Sequence, residues 1–254
     1  MIVVAHRGAS AYAPENTLSA MCEARRRGAD MAELDVRQTA DGEFVVMHDP
    51  TLRRTTDAPE RFPERRPWRV ADFTLAEIQT LEAGSWYSPE FAGEPVPTLR
   101  EALQTLKANG LGALVELKVD RKDPLAARRM ARCLAEDPHW NRTSGERPRL
   151  IVQSFDWVTM RELGRGFPET PVAVLGMARR RYGLRRVARY AAQVHPHYLR
   201  VSEPYVRAAH THGLAVFSWT VNTAAAIRRV IGNGVDGVIS DYPDRVAEHM
   251  AVAA

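Results

Sequence analysis

Short apolar runs alternate with stretches of helical spacing along most of this chain of 254 residues. Ile2 to Ala5 is a continuous apolar run, as expected of a strand buried on both faces. Leu18, Met21, Cys22 and Arg25 then follow helical spacing. Asn16 or Thr17 can cap that helix, and Gly28 can end it. The stretch MAELDVRQTADGEFVVMHDP (31–50) reads as a hairpin. An apolar strand carries Glu33 and Asp35, Asp41-Gly42 is a hairpin-turn signal, and Phe44 to Met47 is the returning strand, ending at His48-Asp49. A two-residue turn would place Asp35 opposite His48. Beyond residue 97 the alternation is regular. Strands are predicted over 113–117, 150–153, 172–175, 198–201, 214–218 and 235–240. Helices are predicted over 98–109, where Thr98 and Glu101 form a capping box, and over 123–135, 157–163 and 185–192. Two more follow, one starting near Pro204 and one capped by Asn222.

The strand count selects a fold. There are nine candidates, but the step from Val36 to Phe44 is too short for the crossover that parallel neighbours need. Phe44 to Met47 is therefore a hairpin return, and the remaining eight strands, most of them alternating with helices, match a (β/α)8 barrel. A doubly wound open sheet is the competing architecture. Residues 51–97 break the rhythm: they hold six prolines, with Trp68 and Trp86. One short helix, capped by Thr74 and Glu77, is predicted there. The expected organisation is a single domain over 1–254 with an inserted subdomain at about 51–97.

Composition narrows the function classes. Apolar content of 45% and charged content of 26% are those of an ordinary globular protein. A net charge of +4 favours anionic small-molecule substrates and gives little support to nucleic-acid binding. No apolar run approaches bilayer-spanning length, so no stable membrane insertion is expected. The N-terminus is charged too early for a secretory signal, which places the expected location in the cytoplasm. Cys22 and Cys133 lie outside any metal-type spacing.

Barrel enzymes carry their chemistry at the C-terminal ends of the strands. The polar residues at those ends are His6, Arg7, Glu33, Asp35, Glu116, Lys118, Gln153, Trp219 and Asp241. Glu33 and Asp35 project to the same side of their strand. With Glu116 they form a hard-oxygen set suited to Mg2+ or Ca2+; the alternative is a salt-bridge network with Arg7 and Lys118. His6 and His48 are acid–base candidates, because imidazole titrates near neutrality. Arg7 offers a bidentate fork for phosphate, and Lys118 a second positive charge. His195, His197, His210 and His212 are expected at the surface.

The segments HRGASAYAPENTLSAM, AELDVRQTADGEFVVMHDPTLRRTTD, VELK, FSWTVN and DGVISDYP, in that order, resemble the glycerophosphodiester phosphodiesterase family over nearly the whole chain. The resemblance implies a (β/α)8 barrel that hydrolyses deacylated phospholipids, such as glycerophosphocholine or glycerophosphoethanolamine, to sn-glycerol 3-phosphate and an alcohol. It implies His6 and His48 as the acid–base pair and Glu33, Asp35 and Glu116 as ligands of one divalent cation. It also implies Arg7 and Lys118 near the phosphate, Trp219 lining the substrate pocket, and attack by the glycerol 2-hydroxyl or by water. Ser240 stands where the family more often has Thr. Two other readings compete. A lysophospholipase D would need an apolar groove, for which Trp68, Tyr87, Phe91 and Trp219 are candidates. A non-enzymatic basic binding protein would use the six arginines of 178–190, although helical spacing makes these an outer, solvated face.

Overall fold

The structure, a computed structural model, describes residues 1–119, 125–140, 149–178 and 180–253, without the side chains of 180–182 and 252–253. The elements run β1 (Ile2–Ala5), α1 (Leu18–Arg26), β2 (Met31–Gln38), β3 (Phe44–Val46), α2 (Ala58–Arg61), α3 (Leu75–Ile78) and α4 (Leu99–Ala108). There follow β4 (Gly112–Leu117), α5 (Ala126–Ala135), β5 (Leu150–Ser154), α6 (Trp157–Gly166), β6 (Val172–Leu175) and α7 (Arg180–Val187). The chain ends with β7 (Gln193–His195), α8 (Glu203–His210), β8 (Ala215–Ser218), α9 (Ala224–Gly232), β9 (Gly237–Ser240) and α10 (Pro243–Ala253). β1, β2 and β4 to β9 pair in parallel, and β1 bonds both β2 and β9, which closes an eight-stranded barrel. β3 pairs antiparallel on the edge of β2.

Strand alternation sorts each strand into two faces. Outward residues such as Val3, Leu34, Val115, Val152 and Val216 pack under the helices. Inward residues Val4, Met31, Leu114, Ile151, Ala173, Phe217 and Ile239 form a separate core inside the barrel. Two residues further along the same strands stand His6, Glu33, Glu116, Gln153, Trp219 and Asp241. The barrel interior is thus apolar below and polar at its C-terminal mouth.

Three expectations are corrected. The sixth barrel strand is β7, Gln193–His195, while Tyr198–Arg200 is a 3-10 turn. The apolar look of 198–201 misled, because two of the three β7 residues are polar and face the barrel interior. His195 is fully buried there, not at the surface, whereas His210 is exposed. The β2–β3 register also differs by one residue. Val36 faces Val46 and Thr39 N donates to Glu43 O (2.9 Å), so the loop has three residues, with Gly42 at φ +85°. A left-handed glycine closing a three-residue hairpin loop relieves the steric cost a Cβ would bring. Asp35 O consequently receives the amide of Met47, and His48 lies one position past it.

Between β3 and α4, Leu52, Trp68, Val70, Phe73, Ile78 and Val96 pack with Val45 and Met47 of the hairpin into a further buried cluster. The Thr74 and Thr98 capping boxes are both formed. α7 starts earlier than 185–192; Arg185, Arg186 and Arg189 are exposed while Leu184 and Val187 are buried. Arg179, residues 120–124, which include the first two of the helix predicted over 123–135, and residues 141–148 lie outside the described residues. Among the described residues no helix is long and apolar enough to cross a membrane.

Candidate active site

The mouth of the barrel brings together all eight residues singled out by sequence, in or beside a cleft of about 100 Å³. Glu33, Asp35 and Glu116 offer ligand oxygens within 4.8 Å of one another. All three are buried, Glu33 and Asp35 at 1% exposure and Glu116 at 7%. Their proximity follows from register: β2 and β4 pair so that Asp35 stands beside Glu116, and Glu33 lies two residues back on the same face.

The salt-bridge reading of this cluster is met in part. Lys118 Nζ lies 3.0 Å from Asp35 Oδ1 and 2.5 Å from Glu116 Oε1, and Arg7 Nε lies 3.3 Å from Asp35 Oδ2. A salt-bridge network therefore exists, but among the described residues three carboxylates meet two fixed cations. Glu33 receives the backbone N–H of Arg7 (2.9 Å) and, among the described residues, no ion pair from a lysine or arginine. Burial and the neighbouring Asp35 push its pKa up to about 8. Glu116 is also raised, by burial and by Asp35. For Asp35, burial is outweighed by Lys118 and Arg7, which hold it down at about 2. Glu116 Oε1 is buried without a well-aligned hydrogen bond. Three buried carboxylates sharing two cationic side chains make a hard-donor set that fits a small divalent cation. Thiolate or imidazole metals do not fit this set.

Each candidate histidine is oriented by its own carboxylate. His6 Nδ1 lies 2.6 Å from Asp241 Oδ1, and His48 Nδ1 lies 2.7 Å from Asp49 Oδ1. The free ring nitrogen of both is therefore Nε2. Asp241 is gripped in turn by Asn222 Nδ2 (2.6 Å) and Ser10 Oγ (3.0 Å). Asp49 is clamped by Arg54, which also reaches Glu15, and Glu15 holds Arg7 NH1 at 2.8 Å. Burial lowers the His6 pKa, but Asp241 and Glu33 outweigh it and leave the imidazole raised. At His48 burial prevails over Asp35 and Asp49, and the pKa is lowered.

Local backbone geometry supports the site. Arg7 adopts φ +55° and Gly8 φ +77°, turning the chain so that Arg7 N faces Glu33. A Cβ on Gly8 would meet the Ala20 backbone at 2.6 Å. Asn16, at φ +62°, does not cap α1. Thr17 does, and Asn16 Nδ2 donates to Asp35 Oδ2 (2.8 Å) while its Oδ1 accepts the Asp35 N–H. At α9 the pattern repeats, with Thr223 as cap and Asn222 on Asp241. Asn16, Asn222, Asp49 and Glu15 were not singled out in the sequence as site residues. The visible signal was an Asn-Thr pair before each of the two helices, where one side chain suffices as a cap. Trp68 is buried in the cluster of 51–97. Trp219 stands at the cleft, with Phe155 edge-on at 5.6 Å and its indole N–H on His195 O at 2.7 Å.

A closed parallel barrel with acidic, basic and imidazole groups gathered at its C-terminal mouth is an architecture suited to an enzyme that works by acid–base chemistry on an anionic substrate. The profile of the Glycerophosphoryl diester phosphodiesterase family matches residues 6–245. The chain is 35% identical to YhdW of Bacillus subtilis, over 96% of each chain. It is 33% identical to the glycerophosphodiester phosphodiesterase of Caldanaerobacter subterraneus subsp. tengcongensis, over 96% of this chain and 95% of that one. Its fold superimposes with a TM-score of 0.83 and 28% identity on an Oleispira antarctica phosphodiesterase solved with the product sn-glycerol 3-phosphate, covering 99% and 97% of the two chains. The chain belongs to the glycerophosphoryl diester phosphodiesterase family, and its class of reaction is phosphodiester hydrolysis.

Proposed function

We propose that this protein releases sn-glycerol 3-phosphate and an alcohol from small glycerophosphodiesters, glycerophosphocholine and glycerophosphoethanolamine among them. One divalent cation, Mg2+ or Ca2+, would be held by Glu33, Asp35 and Glu116. The observation that carries this reading is the convergence of that buried carboxylate set with two imidazoles, each fixed by a carboxylate, at one barrel mouth. The product bound to the Oleispira relative supports the substrate class. The domain is read as one barrel over 1–254, with 51–97 as an insertion beside the mouth.

When bound, the cation would supply Lewis-acid polarisation of a phosphate oxygen. The remaining work belongs to side chains. Arg7 and Lys118 place positive charge where the phosphorane gains negative charge, a contribution of about 3–4 kcal/mol per well-placed donor. His48, whose pKa is lowered, is neutral near pH 7 and takes the proton of the attacking hydroxyl, either a water or the glycerol 2-hydroxyl, in which case a cyclic phosphate forms and a water then opens it to sn-glycerol 3-phosphate. His6, whose pKa is raised, delivers a proton to the departing alcohol oxygen. Trp219 and Phe155 form the apolar wall on which the substrate rests.

Leaving-group chemistry tests the division of labour. His6→Ala should lose about 10²- to 10⁴-fold in turnover on glycerophosphocholine and much less on an aryl phosphodiester, whose leaving group departs unprotonated. His48→Ala should lose comparably on both. Near-normal turnover of glycerophosphocholine by both variants would defeat the assignment, and rescue of His48→Ala alone would reverse the two roles. A second reading, lysophospholipase D activity, is favoured by one observation: Phe155 is 55% exposed beside Trp219. Assay of lysophosphatidylcholine beside glycerophosphocholine separates the two.

A further inference from the structure

Among the described residues, His195 is the most deeply buried ionisable group that the reaction above does not use. It sits inside the barrel at 0% exposure, its ring parallel to Phe217 with centroids 5.0 Å apart. Both ring nitrogens are engaged: Nδ1 lies 2.7 Å from Gln153 Oε1, and Nε2 lies 2.8 Å from the Gln193 side-chain amide. Gln153 in turn points Nε2 toward Glu33 Oε1 at 3.5 Å, the long limit of a hydrogen bond. Glu33, Gln153, His195 and Gln193 therefore form one polar chain across the barrel interior, starting at a carboxylate of the acidic cluster.

Hydrogen-bond bookkeeping fixes the direction of this chain. A carboxylate that holds a cation only accepts, so the Gln153 amide must show it N–H and turn its carbonyl to His195. His195 must then carry its proton on Nδ1. Burial pushes its pKa down to about 3, so the ring is neutral and Nε2 is an acceptor. Gln193 must present its N–H end there; the two ends of an amide have the same shape, and the network decides between them. An imidazole free in water has no such constraint on its tautomer.

We propose that His195 is a positioning residue for cation binding: its Nδ1–H locks the Gln153 amide, which holds the Glu33 carboxylate in its liganding pose. This rests on the reading of Glu33, Asp35 and Glu116 as the cation site. Partners that orient a ligand from behind commonly contribute about 10- to 100-fold to metal affinity. His195 is not among the residues that line the cleft.

The test is calorimetric titration of Mg2+ and Ca2+ into the full chain, with ring ¹⁵N NMR of His195. Wild type loaded with Mg2+ should show His195 neutral with the proton on Nδ1. His195→Phe keeps the aromatic packing on Phe217 but removes the donor, and should bind Mg2+ about 10-fold more weakly. His195→Gln returns an N–H to Gln153 and should recover most of that loss. A proton on Nε2 in the loaded protein, or a folded His195→Phe with Mg2+ affinity within twofold of wild type, would overturn the proposal. The ¹⁵N measurement decides the matter if His195→Phe does not fold. Glu33→Gln in the same titration separates the two levels. If it binds Mg2+ as tightly as wild type, the cation site itself is wrong. If it loses binding while His195→Phe does not, only the relay is wrong.

Discussion

Glu33 and Asp35 share a strand, a face and almost the same burial, yet their proton affinities diverge. Asp35 has Lys118, Arg7 and Asn16 around it; Glu33 has a backbone amide and two acidic neighbours. Because the pKa of Glu33 is raised to about 8, a proton competes with a cation for that oxygen below that pH. Cation affinity should therefore climb between about pH 6 and 8, with close to one proton released per ion near pH 6. Calorimetry in two buffers of different ionisation enthalpy reads this directly; a flat affinity with no proton release would contradict it. His195 makes a second pH prediction. Its folded pKa of about 3 lies below the ordinary 6.5, so the unfolded chain protonates first on acidification. Its contribution to stability is complete above pH 6.5 and is lost as the pH falls toward 3. Between pH 7 and 5 that loss is about 2 kcal/mol. His195→Phe should remove this part of the acid sensitivity in urea unfolding at the two pH values. An equal pH dependence in variant and wild type would show that His195 is not buried neutral.

At the scale of elements, two helix starts show what a sequence pattern can and cannot say. Asn16-Thr17 and Asn222-Thr223 both announced a helix N-terminus, and the helices are there. In both pairs, however, threonine caps the helix and asparagine turns to a carboxylate of the site. Propensity cannot separate the two residues, since either side chain caps well; only the nearby strand end makes the choice. Thr17→Ala should thus cost about 1 kcal/mol of stability, read as a shift in urea midpoint, and leave Mg2+ affinity near wild type. Asn16→Ala should weaken Mg2+ binding about 10-fold by loosening Asp35. Equal effects of the two substitutions on Mg2+ binding would refute this division. The hairpin was legible as a hairpin, but its register was not. Asp41-Gly42 fits two- and three-residue loops equally until the left-handed Gly42 is placed. β7 was missed because its inward residues are the polar Gln193 and His195, so the usual apolar run was absent and the neighbouring run at 198–201 took its place.

Over the whole molecule, the eight-strand count, the closure and the convergence of His6, Glu33, Asp35, His48 and Glu116 were legible because barrel topology puts every strand end at one mouth. What was not legible is the layer of contacts behind them: Asp49 on His48, Asn222 on the strand-end Asp241, and the strand-end Gln153 on the buried His195. These residues are distant in sequence, and their polar side chains carry no period of their own; only closure of the barrel brings β5, β7 and β9 to the same cavity. The gradient from the apolar core around Phe217 and Leu114 to the charged mouth also accounts for the site's chemistry. The floor is apolar, and above it three buried carboxylates stand together, the set proposed to take a cation. Glycerol 3-phosphate release from glycerophosphocholine, followed through chelation and then re-addition of Mg2+ or Ca2+, tests this most directly. Turnover should fall by orders of magnitude with chelator, return with the ion in wild type, and stay low in Glu33→Ala. Undiminished release by the chelated protein would contradict the account at its centre.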